Sequence, residues 1–295
     1  MSLAADLSTA PAPIKGRSLW DDARRRLSRN KAAVASMWTL GFLVVAAIFG
    51  PMLVPFGYDE VNKQDVWMAP LQGGHILGSD ALGRDLLSRL LMGLRVSLAI
   101  GLVATLVSLV IGVAWGAIAG YMGGKLDEVM MRMVDVLYSL PFIFFVILLM
   151  VTFGSNIILI FVAIGAVEWL TMARIVRGQT LALKNKEFIE AARAAGLGQG
   201  AIVARHIVPN LLGPVVVYVT LTIPAVILAE SFLSFLGLGV QPPMASLGTL
   251  ISGGAQDMEL APWLLIFPSL AMVVALMCFN FIGDGLRDAL DPKDR

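Results

Sequence analysis

Charge is scarce in this sequence: Lys, Arg, Asp and Glu make up 15% of its 295 residues, against about 25% in a soluble domain. There is one cysteine, Cys278, set in an apolar run, so an intramolecular disulfide framework is excluded. No phosphate-binding loop of the form G-x-x-x-x-G-K-[ST] occurs; Gly123–Lys125 reads GGK, but Leu126 follows and the upstream glycine is missing. Gly196-x-Gly198-x-Gly200 is not a dinucleotide fingerprint, and neither HExxH nor GxSxG is present. Catalytic, cofactor-binding and metal-ligating residues are therefore not expected in this chain, and it does not read as an enzyme. The net charge of +1 gives no pull toward nucleic acid. What is abundant is apolar: 58% of residues are hydrophobic, and the mean hydropathy is +0.81. That surplus excludes a soluble enzyme, a secreted disulfide scaffold and a disordered protein. It implies an integral membrane protein with several spans.

A helix crosses the hydrocarbon core with about 20 apolar residues. Six runs meet that length or approach it: Ala32–Val54, Ser97–Ala119, Met133–Phe153, Ile157–Ala173, Leu211–Leu233 and Pro262–Ile282. None contains Lys or Arg. The runs are continuously apolar, without the alternation of a membrane β-barrel, so the expected class is all-α and polytopic with six transmembrane helices. No cleavable signal peptide is evident at the polar N-terminus. Cytoplasmic loops hold most Lys and Arg. With the N-terminal tail inside, that side collects 18 of the 22 cations, and the outside keeps Lys63, Arg84, Arg89 and Arg95. Both termini are expected to be cytoplasmic. His75 and His206 then fall on opposite sides and share no metal site. The expected organisation is a tail over 1–31, a first span over 32–54 and an outer loop over 55–96. A five-span core over 97–282 and a tail over 283–295 follow. Leu86, Leu87, Leu90, Leu91 and Leu94 recur at helical spacing, which predicts an amphipathic helix lying at the outer interface before the second span.

The largest inner loop, 174–210, is predicted to be two short helices hinged at 196–200. Asn185 is the expected N-cap, with Glu187 in the first turn. Phe188, Ala192 and Ala195 are placed on one face and Lys186, Glu190 and Arg193 on another. Gly196 is the expected stop, and the second helix is expected to end before Pro209.

The EAA triplet Glu190–Ala191–Ala192, the spacing to Gly196, and HIVPN over 206–210 resemble the EAA loop of ABC importer permeases. That family closes its motif with Ile-x-Leu-Pro; here His206, Ile207, Val208 and Pro209 stand at those positions, which looks like the version found in peptide importers. GRSLWDDARRRLSRNKAAVAS, LGSDALGRDLLSRLL, ESFLSFLGLGVQPP and FIGDGLRDALDPKDR are similar to the C-type permeases of oligopeptide importers, nearly throughout the chain from Gly16 onward. The resemblance implies a type I ABC importer permease fold. It implies a loop, carried by Asn185, Lys186, Glu187, Phe188, Glu190, Ala191, Ala192, Arg193, Gly196, His206 and Pro209, that docks on an ATP-binding subunit. It further implies a heterodimer with a second permease subunit, two cytoplasmic ATPases that bind ATP and Mg, and a periplasmic or extracellular peptide-binding protein. The expected surroundings are peptide substrate and membrane lipid. A dipeptide or other small-solute importer, for example of nickel, is the alternative within the family.

Acids within spans are costly and mark functional candidates. Asp135, Glu168 and Glu230 are such acids. Asp135 is expected to pair with Arg132 and Glu168, less favourably, with Arg174, while Glu230 stands near the outer mouth. With Tyr218 and Thr222 they are the candidate pathway residues; for the last two the plainer alternative is helix packing. Gly112, Gly116 and Gly120, four residues apart, predict a close-packing face. An ion-gradient transporter is the competing class, but the absence of deep charge or an evident inverted repeat argues against it.

Overall fold

The computed structural model describes residues 19–154 and 156–290. Lys15, Arg17, Lys293 and Arg295, counted above in the two tails, lie outside the described residues. Among the described residues, eleven α-helices run in the order α1 (Leu19–Arg29), α2 (Lys31–Phe49), α3 (Leu86–Met122), α4 (Gly124–Ser139), α5 (Phe142–Phe153), α6 (Ile157–Leu183), α7 (Glu187–Ala194), α8 (Gln199–Ile202), α9 (Val208–Phe235), α10 (Leu247–Gln256) and α11 (Trp263–Leu290). Among the described residues there is no β-strand. Five helical segments of the described residues are long and apolar enough to cross a membrane, and the bent pair α4–α5 makes a sixth if taken as one span. The end of the bundle that carries α7 is called the loop end below, and its opposite the far end.

Several boundaries differ from the sequence expectation, each for a local reason. The N-terminal tail contains α1, with Asp21 and Asp22 in its first turn and Arg26 and Arg29 in its last, both favourable to the helix dipole. Asn30 then caps α2, its side chain accepting from the Ala33 N–H at 3.1 Å. The predicted interfacial helix does not exist as a separate element. Asp85 caps α3, accepting from the Ser88 N–H at 2.7 Å, and the helix runs unbroken for 37 residues. No proline interrupts it, and its length of about 56 Å at 1.5 Å per residue exceeds a hydrocarbon core of about 30 Å. Leu86 and Leu94 are buried by the protein itself, against neighbours of α11 and α10, so that apolar face does not lie on lipid. The third run is bent by 80°. Pro141 disfavours helical dihedrals at Leu140, which sits at φ −75°, ψ 129°. At the loop end, α6 and α11 continue past the expected limits at Ala173 and Ile282, so Arg174, Arg177 and Arg287 are helical residues.

The bundle is held by close approach of α3 and α6. A Cβ at Gly112 would stand 2.6 Å from Met172 Cβ, and one at Gly120 would stand 2.8 Å from Thr180 Cβ. Between them, a Cβ at Gly116 would strike the Ala173 carbonyl oxygen. Ordinary side chains would hold these helices apart, so the four-residue glycine spacing sets their separation. One apolar cluster toward the far end joins Ile100, Ala104, Ile160, Ile164, Val226 and Leu233. A second, at the loop end, joins Tyr121, Met172, Val176, Ile207, Leu211 and the loop residues Ile189 and Ala192.

Candidate functional site

The EAA segment is a helix built onto the floor of the second cluster. After α6, the Lys184 ammonium donates to the Gly120 carbonyl at 3.2 Å and fixes the turn. The N-cap is Lys186, not Asn185. Lys186 is extended (φ −82°, ψ 147°), and its carbonyl accepts from the N–H groups of Ile189 and Glu190. It offers no side-chain acceptor, so Glu187 and Glu190 in the first turn answer the helix dipole instead. The buried stripe also differs from the expected one. Ile189 and Ala192, three apart, point into the bundle and are buried, whereas Phe188 and Ala195 are exposed. Lys186, Glu187, Glu190 and Ala191 are also exposed, which leaves α7 with a charged face carrying one aromatic ring. Arg193 reaches back: its Nε donates to Tyr121 Oη at 3.3 Å, with the guanidinium 5.3 Å from that ring.

The helix ends in a Schellman motif. Gly196 adopts φ +79°, its N–H bonds the Arg193 carbonyl at 2.9 Å, and the Leu197 N–H bonds the Ala192 carbonyl at 3.2 Å. Nothing lies within 4 Å of a Cβ built on Gly196, so glycine is required there for its dihedral and not for space. The chain then enters α8, but the second loop helix does not stop before Pro209. A wide turn over Val203–Ile207, in which the Val208 N–H bonds the Val203 carbonyl, carries the chain into α9. Proline has no N–H to give, and the extra residue in the turn accommodates it. The Asn210 side chain donates to the His206 carbonyl at 2.6 Å. The His206 side chain is half-buried and Pro209 is exposed.

Two ion pairs fasten α6 to α4 beside this element. Arg177 grips Asp127 with Nε to Oδ1 at 2.6 Å and Nη2 to Oδ2 at 2.7 Å. Arg174 Nη2 donates to Asp135 Oδ1 at 2.8 Å, and its guanidinium lies 4.3 Å from the Tyr138 ring. The expected partner of Asp135 was Arg132; the side chain turns instead across the helix interface.

The five candidate pathway residues do not line one cavity. Asp135 lies in a cleft of about 570 Å³ with Asp127, Glu128, Arg132, Arg174 and Arg177. Tyr218 lies in another of about 410 Å³, between α6, α9 and α11, with Gln179, Pro214 and Arg287. Thr222 is buried and returns its hydroxyl to the Tyr218 carbonyl at 2.9 Å. Glu168 is half-buried on α6. Glu230 is not at an open mouth. It is fully buried (0% exposed) and accepts from Ser246 at 2.6 Å, Ser234 at 2.7 Å and Ser97 at 3.3 Å. Ser97 also accepts from the Leu247 N–H at 3.0 Å, so the carboxyl ties α3, α9 and the start of α10 together.

The model of the binding-protein-dependent transport system inner membrane component matches residues 112–295, and that of the N-terminal transmembrane domain of oligopeptide transport permease C matches residues 18–71. The chain is 56% identical to the oligopeptide transport system permease protein OppC of Haemophilus influenzae, over 96% of this chain and 91% of the relative. It is 59% identical to OppC of Escherichia coli K12, over 96% and 94%. The dipeptide transport system permease protein DppC of Bacillus subtilis is 44% identical, over 94% and 87%. A chain of the MetNI methionine ABC transporter, solved in inward-facing conformations, superposes with a TM-score of 0.56 at 21% identity, covering 68% of this chain and 96% of that one. That likeness shows the fold, that of a type I ABC importer permease.

Proposed function

The chain belongs to the family of binding-protein-dependent transport system inner membrane components, and from that premise we propose that it forms, with a second permease subunit, the path by which oligopeptides enter through the inner membrane. The observation that carries the substrate is identity of 56–59% to oligopeptide permeases over 96% of the chain. Both termini and α7 face the cytoplasm in this reading, in keeping with the excess of Lys and Arg at the loop end. Two ATP-binding subunits dock there and hold ATP and Mg. A peptide-binding protein delivers substrate to the far end.

The exposed face of α7 is the contact that the ATPases press. Its buried face shares one cluster with Tyr121 of α3, Val176 of α6 and Leu211 of α9. A push on Phe188 and Glu190 therefore reaches three spans through packed side chains. Packed interfaces switch between discrete arrangements, which suits a rocking motion between inward-open and outward-open states.

A second reading has an observation of its own. The dipeptide permease of Bacillus subtilis is as similar, at 44%, as the oligopeptide permease of the same organism, at 43%. The test is uptake of labelled peptides of two to five residues by the complete complex in proteoliposomes. ATP-dependent uptake of the longer peptides is expected. Uptake of dipeptides alone favours the second reading, and uptake without ATPase subunits overturns the importer reading.

A further inference from the structure

Four cations within or beside the spans pair with an acid. Arg84 and Arg89 share Asp80, at 2.7 and 3.5 Å, while Arg174 and Arg177 hold Asp135 and Asp127. Arg95 differs. It sits inside the apolar helix α3, in a segment long and apolar enough to span, and among the described residues it has no ion pair. Its Nε donates to the Ala47 carbonyl at 3.0 Å and its Nη2 to the Ile48 carbonyl at 2.8 Å, at the end of α2. These bonds orient the guanidinium and satisfy the helix terminus, but both acceptors are neutral carbonyls, which leave its positive charge unmatched. A guanidinium has five N–H donors in a fixed fork that matches a phosphate.

Below Arg95 runs a groove of about 390 Å³ between α2, α3, α9 and α11, lined by Leu40, Val44, Ile48, Leu98, Leu102 and Phe279. It contains no acidic residue. Val44, Ile48 and Leu102 are exposed, so it opens sideways to the surroundings of the bundle. From Ile48 to Leu40 it follows α2 for about 12 Å at 1.5 Å per residue. Arg95 stands where α2 ends, so the charge lies at the rim and the apolar walls descend along the spans.

We propose that this groove is a lipid site, with an anionic glycerophospholipid placing its phosphate on Arg95 and one acyl chain between α2 and α3. A charge near the membrane boundary is costly when unpaired and cheap when it meets a headgroup. The lipid supplies both the missing counter-charge and the apolar filling. The inference needs only that the chain spans a membrane, not that it carries peptides.

The assembled complex is purified, reconstituted with equal phosphatidylglycerol and phosphatidylethanolamine, stripped in mild detergent, and its retained lipid measured by native mass spectrometry. Arg95→Gln removes the charge. Ala99→Trp fills the groove with Arg95 intact, and it carries the test should Arg95→Gln fail to fold. Val110→Trp places the same bulk at another exposed position of α3, outside the groove. Retained phosphatidylglycerol is expected to fall at least fivefold in the first two variants and to be unchanged in the third. Equal retention in all variants, or equal retention of the two lipids, overturns the proposal. So does efficient cross-linking of Ala99→Cys to the second permease subunit, which would mean that protein fills the groove.

Discussion

Arg177 and Asp127 meet fork to fork, with both carboxylate oxygens engaged at 2.6 and 2.7 Å. The pair joins the end of α6 to the start of α4, fifty residues earlier in the chain. A bidentate pair fixes direction as well as distance, which a lysine at the same place would not.

Asp127→Asn is expected to lower the stability of the chain by about 1–2 kcal/mol, since one charge-assisted hydrogen bond weakens and the other is lost. Arg177→Gln should act similarly. The double variant should cost less than the two together, because they remove the same interaction. Thermal unfolding in detergent, read as a double-mutant cycle, checks it. Simple additivity would mean that the two groups do not act on one another.

The stop of α7 can be tested by side chain alone. Gly196 holds φ +79° in open space. Asn tolerates the left-handed region better than Ala, and a β-branched residue tolerates it worst. Coupled uptake should therefore fall in the order Gly, Asn, Ala, Val, with Gly196→Ala costing about 1 kcal/mol locally. Membrane insertion should be unchanged along the series. If Gly196→Val transports normally, the Schellman stop does not position α7.

The spans were legible because a continuous apolar run needs no tertiary information. The glycine face of α3 was legible for a similar reason, since its spacing is that of a helix stripe. Other features were hidden. Leu86, Leu90 and Leu94 have the same spacing whether the stripe faces lipid or protein, so the start of α3 resembled an interfacial helix. On α7 the periodicity grouped Phe188 with Ala192 and Ala195, but the bundle buries Ile189 and Ala192 and leaves Phe188 exposed, a choice set by the packing of distant helices. The environment of Glu230 depends on Ser97 and Ser246, one of them 133 residues away, and no local pattern announces that meeting.

Two glycines of the α3–α6 region should respond in opposite ways to the same substitution. A Cβ at Gly116 meets the Ala173 carbonyl, so Gly116→Ala is expected to destabilise by about 1–3 kcal/mol through overpacking. Gly178 lies within α6 and has nothing within 4 Å of its would-be Cβ. Gly178→Ala should stabilise the isolated chain by up to about 1 kcal/mol, as helix propensity predicts. Both are read from unfolding midpoints of the purified subunit. A loss at both positions would show that α6 is intolerant for another reason.

Glu230 separates a tie from a pathway residue. Its carboxyl is fully buried and collects hydroxyls from three helices or their caps. Glu230→Gln keeps an acceptor oxygen and the volume, so most of the tie should survive. Glu230→Ala removes the acceptor and opens a cavity, an expected loss of about 2–4 kcal/mol. A residue that met the peptide would change the KM of uptake in both variants. A tie predicts a different pattern: the amount of folded complex falls in Glu230→Ala, while KM per folded complex stays at the wild-type value. Measuring peptide uptake against concentration, normalised to assembled complex, distinguishes the two. A several-fold rise in KM with Glu230→Gln, at unchanged stability, would return this residue to the pathway.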